Sequence, residues 1–457
     1  MGTLSRRGFV SALGAGAAGL TIAPLTKLYA QGVPQGGSPF GPGFGPLTPK
    51  LPLNSSELPD AFRGRELLSL PAEFEYTAVS ITGQTMTDGN RVPGAHDGMA
   101  AFKGPRGTTI VIRNHELTTS STPVIVPGGN KYDNARAGGT STLTFDRDGK
   151  LIKHLGSLAG TERNCAGGPT PWDSWLTCEE TFSLAEQRHG YVFEVPMSGE
   201  ADHVPLTGMG RFSHEAAAVH PPTSIVYLTE DRGDSLFYRY RPNSCDDLRA
   251  GGVLEALRLK DFPNGVNTRS GFRDFKFQPF AAEWVTIDNA DPDTESGGNS
   301  TRAQGQVKGA ATFSRGEGAW YGNGQIYFVS TDGGEDRGGQ VWAYNPYSET
   351  LTLFVEAVRD TTNPAFADNG GFLLAAPDNI TVGPDGRLYL CEDGAGVEKV
   401  VGVSHSGELF ELARNILSDS EFAGACFSHD GRFMFVNVQS PGITYVIRGP
   451  WRKGGLS

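Results

Sequence analysis

Ile225-Val226-Tyr227-Leu228-Thr229-Glu230-Asp231 is a β-branched and aromatic run that stops on two acids. A short apolar run closed by charge and followed by a glycine turn reads as one buried strand. The same form recurs at residues 109–116, 174–180, 326–332, 388–393 and 433–439. Several copies lead to a second strand, running from Tyr191 to Pro196, Leu236 to Pro242 and Val341 to Pro346. The turn pairs Asp148-Gly149, Asp385-Gly386 and Asp430-Gly431 introduce strands. A unit repeated in this way marks radial architecture. The sequence therefore predicts an all-β fold, a six-bladed β-propeller, with five or seven blades also compatible and a β-sandwich with insertions as the alternative. In the widest gap, between Asp231 and Asp332, runs at 253–259 and 283–288 are expected as outer strands of one blade.

Composition points the same way. The 457 residues include 62 Gly and 29 Pro, which disfavour helix interiors and exclude a mostly helical chain. The 38% hydrophobic share supports a sizeable core and excludes general disorder. With 39 Lys+Arg against 51 Asp+Glu the net charge is -12, which argues against a nucleic-acid partner. Five cysteines are an odd number, and no C-x-x-C pair suggests a zinc ribbon or redox site.

Residues 1–30 read as an address. Ser5-Arg6-Arg7-Gly8-Phe9-Val10 precedes a Gly/Ala-rich apolar stretch, a twin-arginine export signal with cleavage after Ala30. The expected partner is the twin-arginine export machinery, and the expected location is periplasmic or secreted. Removing this segment takes away Arg6, Arg7 and Lys27, so the charge becomes -12 - 3 = -15. Gly14-Ala15-Gly16-Ala17-Ala18-Gly19 matches G-x-G-x-x-G but follows no strand, so it carries no dinucleotide reading. Residues 31–60 are expected to form a Gly/Pro-rich arm lying on the body, and residues 61–457 the propeller, as a monomer.

Radial symmetry brings equivalent strand ends to one face. A second set of acids, Asp97, Glu215, Glu317 and Asp378, stands about ten residues before several strands and is expected on the innermost ones. Carboxylates facing one channel repel each other unless cations intervene, and such sites suit hard ions such as Ca²⁺. Taken singly, acidic pairs such as Glu392-Asp393 read as solvated turns. Cys178 beside Glu179 and Glu180 would suit a transition metal with mixed sulfur and oxygen ligands, or could be a core cysteine.

Asn114-His115-Glu116, Asn164-Cys165-Ala166-Gly167-Gly168, Thr177-Cys178-Glu179-Glu180, His214-Glu215-Ala216-Ala217-Ala218 and Arg315-Gly316-Glu317 together resemble PhoX-type alkaline phosphatases. The resemblance spans most of residues 60–440. It implies a six-bladed propeller whose channel holds two ferric and three calcium ions and hydrolyses phosphate monoesters. On this chain it implies Cys178 as the iron-ligating thiolate and Glu116, Glu179, Glu215, Glu317 and Asp378 as metal ligands. Arg315 would contact the phosphate, for which a planar guanidinium is suited. Two motifs depart from the family pattern: Arg315-Gly316-Glu317 replaces Arg-Pro-Glu, and Pro377-Asp378-Asn379 replaces Pro-Asp-Gly. The rival readings are a calcium-dependent propeller lactonase and a non-catalytic binding propeller. No G-x-S-x-G, Walker or H-E-x-x-H motif supports other hydrolase classes.

Overall fold

The computed structural model describes residues 42–119 and 125–451. The expected twin-arginine signal, residues 1–30, and the first part of the expected arm, 31–41, lie outside the described residues. The fold is all-β, with a β-propeller-like arrangement of sheets.

Six strands line the centre: His96–Lys103, Asn164–Pro169, His214–His220, Gly316–Gly322, Pro377–Val382 and Phe422–Phe427. They neighbour one another in that order, and the last packs against the first. Each begins an antiparallel ladder with the strand that follows it in sequence. Those following strands are the apolar runs singled out by the sequence. Crowding at the centre dictates small residues. A Cβ on Gly318 would come within 2.6 Å of the Asp378 carbonyl oxygen, and one on Gly168 would overlap that of Ala217. The Gly-rich and Ala-rich motifs thus record how closely the central strands approach.

Hydrophobic residues fill the spaces between successive ladders. Phe237 stacks on Phe328 at 4.0 Å, and Phe145 meets Phe435 at 4.7 Å. Each such layer buries apolar side chains from two ladders, which supplies the main driving force for closing the ring.

The ladders are not all separate sheets. Pro279–Thr286 pairs with Gly252–Leu259 on one side and with Thr350–Glu356 on the other, joining two ladders into one nine-stranded sheet. The expected outer-strand pair at 253–259 and 283–288 is present, and its second member also bridges to the next unit. Segments near the two chain ends meet in a third place. Glu75–Val79 pairs with Ile443–Arg448, so an early strand completes the sheet of the last central strand. Within the described part of the arm, Leu47–Lys50 pairs with Leu68–Pro71 at a sheet edge, while Phe44 packs on Phe74, Phe410 and Trp451.

Candidate metal centre

One backbone device repeats at the start of every central strand. The residue before it offers its carbonyl to the N–H of the residue just beyond the partner strand. Ala95 accepts from Glu116 at 2.9 Å, Arg163 from Glu180 at 2.9 Å and Ser213 from Asp231 at 3.2 Å. Arg315 accepts from Thr331 at 2.9 Å, Ala376 from Asp393 at 3.0 Å and Glu421 from Gln439 at 3.2 Å. One residue pair inside each clamp, two in the last strand, the register shifts by a β-bulge. Bulges re-aim side chains. The first residue within the shift is Asp97, Cys165, Glu215, Glu317, Asp378 or Gly424.

The result is a chain of four overlapping ligand groups, each with its atoms within 4.8 Å of one another. Cys165, Glu180 and Glu215 form one, and Glu215, Glu317 and Asp378 the next. Asp378, Asp393 and Glu421 form a third, and Glu421 reappears with Asp97 and Glu116. Eight carboxylates and one thiol therefore share one site.

Burial, and then mutual repulsion, sets the electrostatics. Burial pushes Asp97, Glu215, Glu317 and Asp378 well above the usual carboxylate range, and neighbouring acids push them further. Burial raises Glu180 to about 7, against the pull of Arg163. The Cys165 thiol is pushed up by burial and then by Glu215. A protein that gathers charges at this cost is arranged for cations that offset them. Oxygen donors suit hard cations, and a thiol among them suits a transition metal. The donor set thus fits the mixed metals implied by the resemblance.

Two guanidiniums stand among these acids, both from clamp positions. Arg315 grips Asp231 through Nε at 2.9 Å and Nη2 at 3.0 Å, and Nη2 also reaches Glu317 at 2.9 Å. Arg163 Nη2 contacts Glu116 at 2.7 Å and pairs with Glu180. Gln439 Nε2 donates to Glu116 at 2.8 Å.

Among the residues named from the sequence, Glu116, Glu215, Glu317, Asp378 and Arg315 come together here. Cys178 and Glu179 do not. Cys178 packs in the apolar layer with Leu176, Val192, Ala217 and Leu228, where burial, and then Glu215 and Glu179, raise its thiol. Glu179 is fully buried and points away from the cluster, accepting from Gly190 N–H at 2.9 Å and meeting His189 Nδ1 at 2.7 Å. Alternation along the strand explains Glu179, since neighbouring side chains face opposite ways and Glu180 takes the inward place. Glu230 and Glu392 likewise turn outward, to Tyr238 and to the Ala375 N–H, while Asp231 and Asp393 turn inward. Asp332 pairs with Arg269 instead.

Sequence reasoning gave no site role to Cys165, Arg163, Asp393, Gln439 or Glu421. A spacing signal existed for the first: Cys165 precedes Glu180 by 180 - 165 = 15 residues, as Asp378 precedes Asp393 by 393 - 378 = 15. His115 and His214 are held by ordinary partners, the carbonyls of Gly94 at 2.8 Å and Gly210 at 2.9 Å.

Comparison with known proteins adds the family. No curated protein matches the chain in sequence. Among solved structures, Pseudomonas fluorescens PhoX in complex with vanadate, a transition-state analogue, is similar with a TM-score of 0.65 and 18% identity. The match covers 85% of this chain and 97% of that one. A gluconolactonase from Xanthomonas campestris matches at a TM-score of 0.44 and 11% identity, over 89% of this chain and 99% of that one. The profile of the alkaline phosphatase PhoX family matches residues 44–156 and 150–442. Spanned by that profile through the whole central ring, the chain belongs to the PhoX family of alkaline phosphatases.

Proposed function

We propose that this phosphatase hydrolyses small phosphate monoesters at an iron–calcium centre held at one end of a six-bladed propeller. The observation that carries the reading is the clamp and bulge, repeated six times around the ring, which aim acids and one thiol into a single site. Six central strands, each opening its own ladder, support the blade count despite the strand that fuses two units.

Cys165 replaces Cys178 as the proposed iron-ligating thiol, with Glu180 and Glu215 beside it and Glu180 in place of Glu179. Glu317, Asp378, Asp393, Glu421, Asp97 and Glu116 supply oxygens for the remaining cations, two ferric and three calcium ions in the family pattern. When bound, these cations supply the positive charge that draws in a phosphate dianion and stabilises charge on its oxygens during transfer. Asp231 fixes the plane of Arg315, so that guanidinium is already oriented when substrate arrives. Thr331 and Gln439 occupy the two clamp positions without a carboxylate, giving neutral donors where the ring would otherwise gain more negative charge. Export of the folded chain by the twin-arginine route, with a periplasmic or secreted location, completes the proposal.

The test is metal analysis and turnover on protein purified with its metals. Iron and calcium together with hydrolysis of p-nitrophenyl phosphate are expected. Calcium alone, with the ester intact, would instead favour a lactonase or a binding propeller.

A further inference from the structure

We infer that Arg163, and not Arg315 alone, receives the phosphoryl oxygens of the substrate, and that it is the stronger of the two contacts. This rests on the phosphatase reading above and specifies one residue within it.

Arg163 and Arg315 are repeat equivalents. Each lies immediately before a central strand, each gives its carbonyl to a clamp, and each has a left-handed backbone, with φ of 50° and 52°. That conformation is unfavourable for an L-residue. Ala95 and Ala376 hold the same conformation at two further clamps, so the backbone that carries each arginine is a feature of the repeat at four of its six positions. Both arginine side chains remain partly open to solvent, 38% and 41% exposed, in a site whose bulge acids Asp97, Glu215 and Glu317 are buried.

Their free donors differ. Arg315 commits Nε and Nη2 to Asp231, and Nη2 again to Glu317. Arg163 makes both of its acid contacts through one nitrogen, Nη2. Its Nε is buried without a partner, and among the described residues its side-chain contacts all run through Nη2, none through Nη1. Both two-donor edges of a guanidinium include Nη2, so Arg163 offers Nη1 at once, and its Nη1–Nη2 edge, which matches two oxygens of a phosphoryl group, opens when the two acids release Nη2. The acids that contact Arg163, Glu116 and Glu180, are themselves members of the ligand groups. Cations bound there would compete for those oxygens and free Nη2 to complete the edge, whereas Asp231, which belongs to no ligand group, keeps Nε and Nη2 of Arg315 occupied.

The experiment compares Arg163→Gln, Arg163→Lys and Arg315→Gln in metal-loaded enzyme. Binding of inorganic phosphate is measured by titration calorimetry, KM and kcat with p-nitrophenyl phosphate, and iron and calcium per chain by elemental analysis. Arg163→Gln is expected to weaken phosphate binding and raise KM by about tenfold or more with metal content unchanged. Arg163→Lys should restore part of this loss, because charge returns without the planar fork, and Arg315→Gln should weaken phosphate binding less. Phosphate affinity within twofold of wild type in Arg163→Gln overturns the inference. Metal loss in step with any weakening overturns it too, because Arg163 would then act only by holding carboxylates. Wild-type enzyme that holds its metals but neither binds phosphate nor cleaves the ester would overturn the phosphatase reading itself.

Discussion

Cys165 and Cys178 show how little separates a ligand from packing. The two are thirteen residues apart on adjacent strands, and the Cys165 thiol lies 3.8 Å from the Cys178 carbonyl oxygen. Both thiols border the same apolar layer, but only Cys165, at a bulge, has its sulfur within a ligand group, with Glu180 and Glu215. Flanking acids in the sequence drew attention to Cys178, yet on an extended strand the adjacent Glu179 faces the other way. Spacing against Glu180 carried the better signal. Cys165→Ala is therefore expected to abolish iron binding and any thiolate-to-iron absorption. Cys178→Ala is expected to keep both and lose about 1–2 kcal/mol of stability through a small cavity. Visible spectra and denaturant titration of the two variants decide between the sites.

At the level of elements, the repeat was legible because each partner strand is a continuous apolar run with an acidic end. The central strands were less so. Their acids were visible, but the bulge that aims them leaves no residue pattern of its own, and Gly424 occupies the sixth position without any functional group. The pairing of Pro279–Thr286 with two neighbours was also hidden, since pairing as distant in sequence as Phe280 with Leu351 is set by tertiary packing rather than by local preference. What the sequence did record is crowding, in the Gly and Ala residues of the central strands. Gly168→Ala places a Cβ against the Ala217 carbonyl, where backbone cannot yield as a side-chain tip would. It is expected to cost about 1–3 kcal/mol by overpacking. A thermal melt a few degrees below wild type would show this, and an unchanged melt would show that the central strands can move apart.

Across the whole molecule, the acidic cluster links stability to pH and to cations. In metal-free protein the buried acids hold protons that the unfolded chain releases above pH about 4. Their contribution to stability is present in full below that pH and is lost as pH rises through the folded values, with Glu180 at about 7. Chelated protein should therefore melt at lower temperature at pH 8 than at pH 5, and added calcium should remove most of the difference. Melts of stripped protein that do not change with pH would show that these acids are already compensated. The excess of acids in the composition, first a reason to set aside nucleic acid, becomes a reason to need metal.

The pairing of Glu75–Val79 with Ile443–Arg448 also sets an order in time. A ribosome makes Asp97 early and Glu421 late, and the sheet carrying Glu421 and Gln439 is finished only by a strand made long before it. Until the last strand is translated, one side of the ring lacks its ligands and its seam stays open. Cation capture is thus an event of the finished chain, and a truncated product would carry most of the acids with no complete place to put the metal.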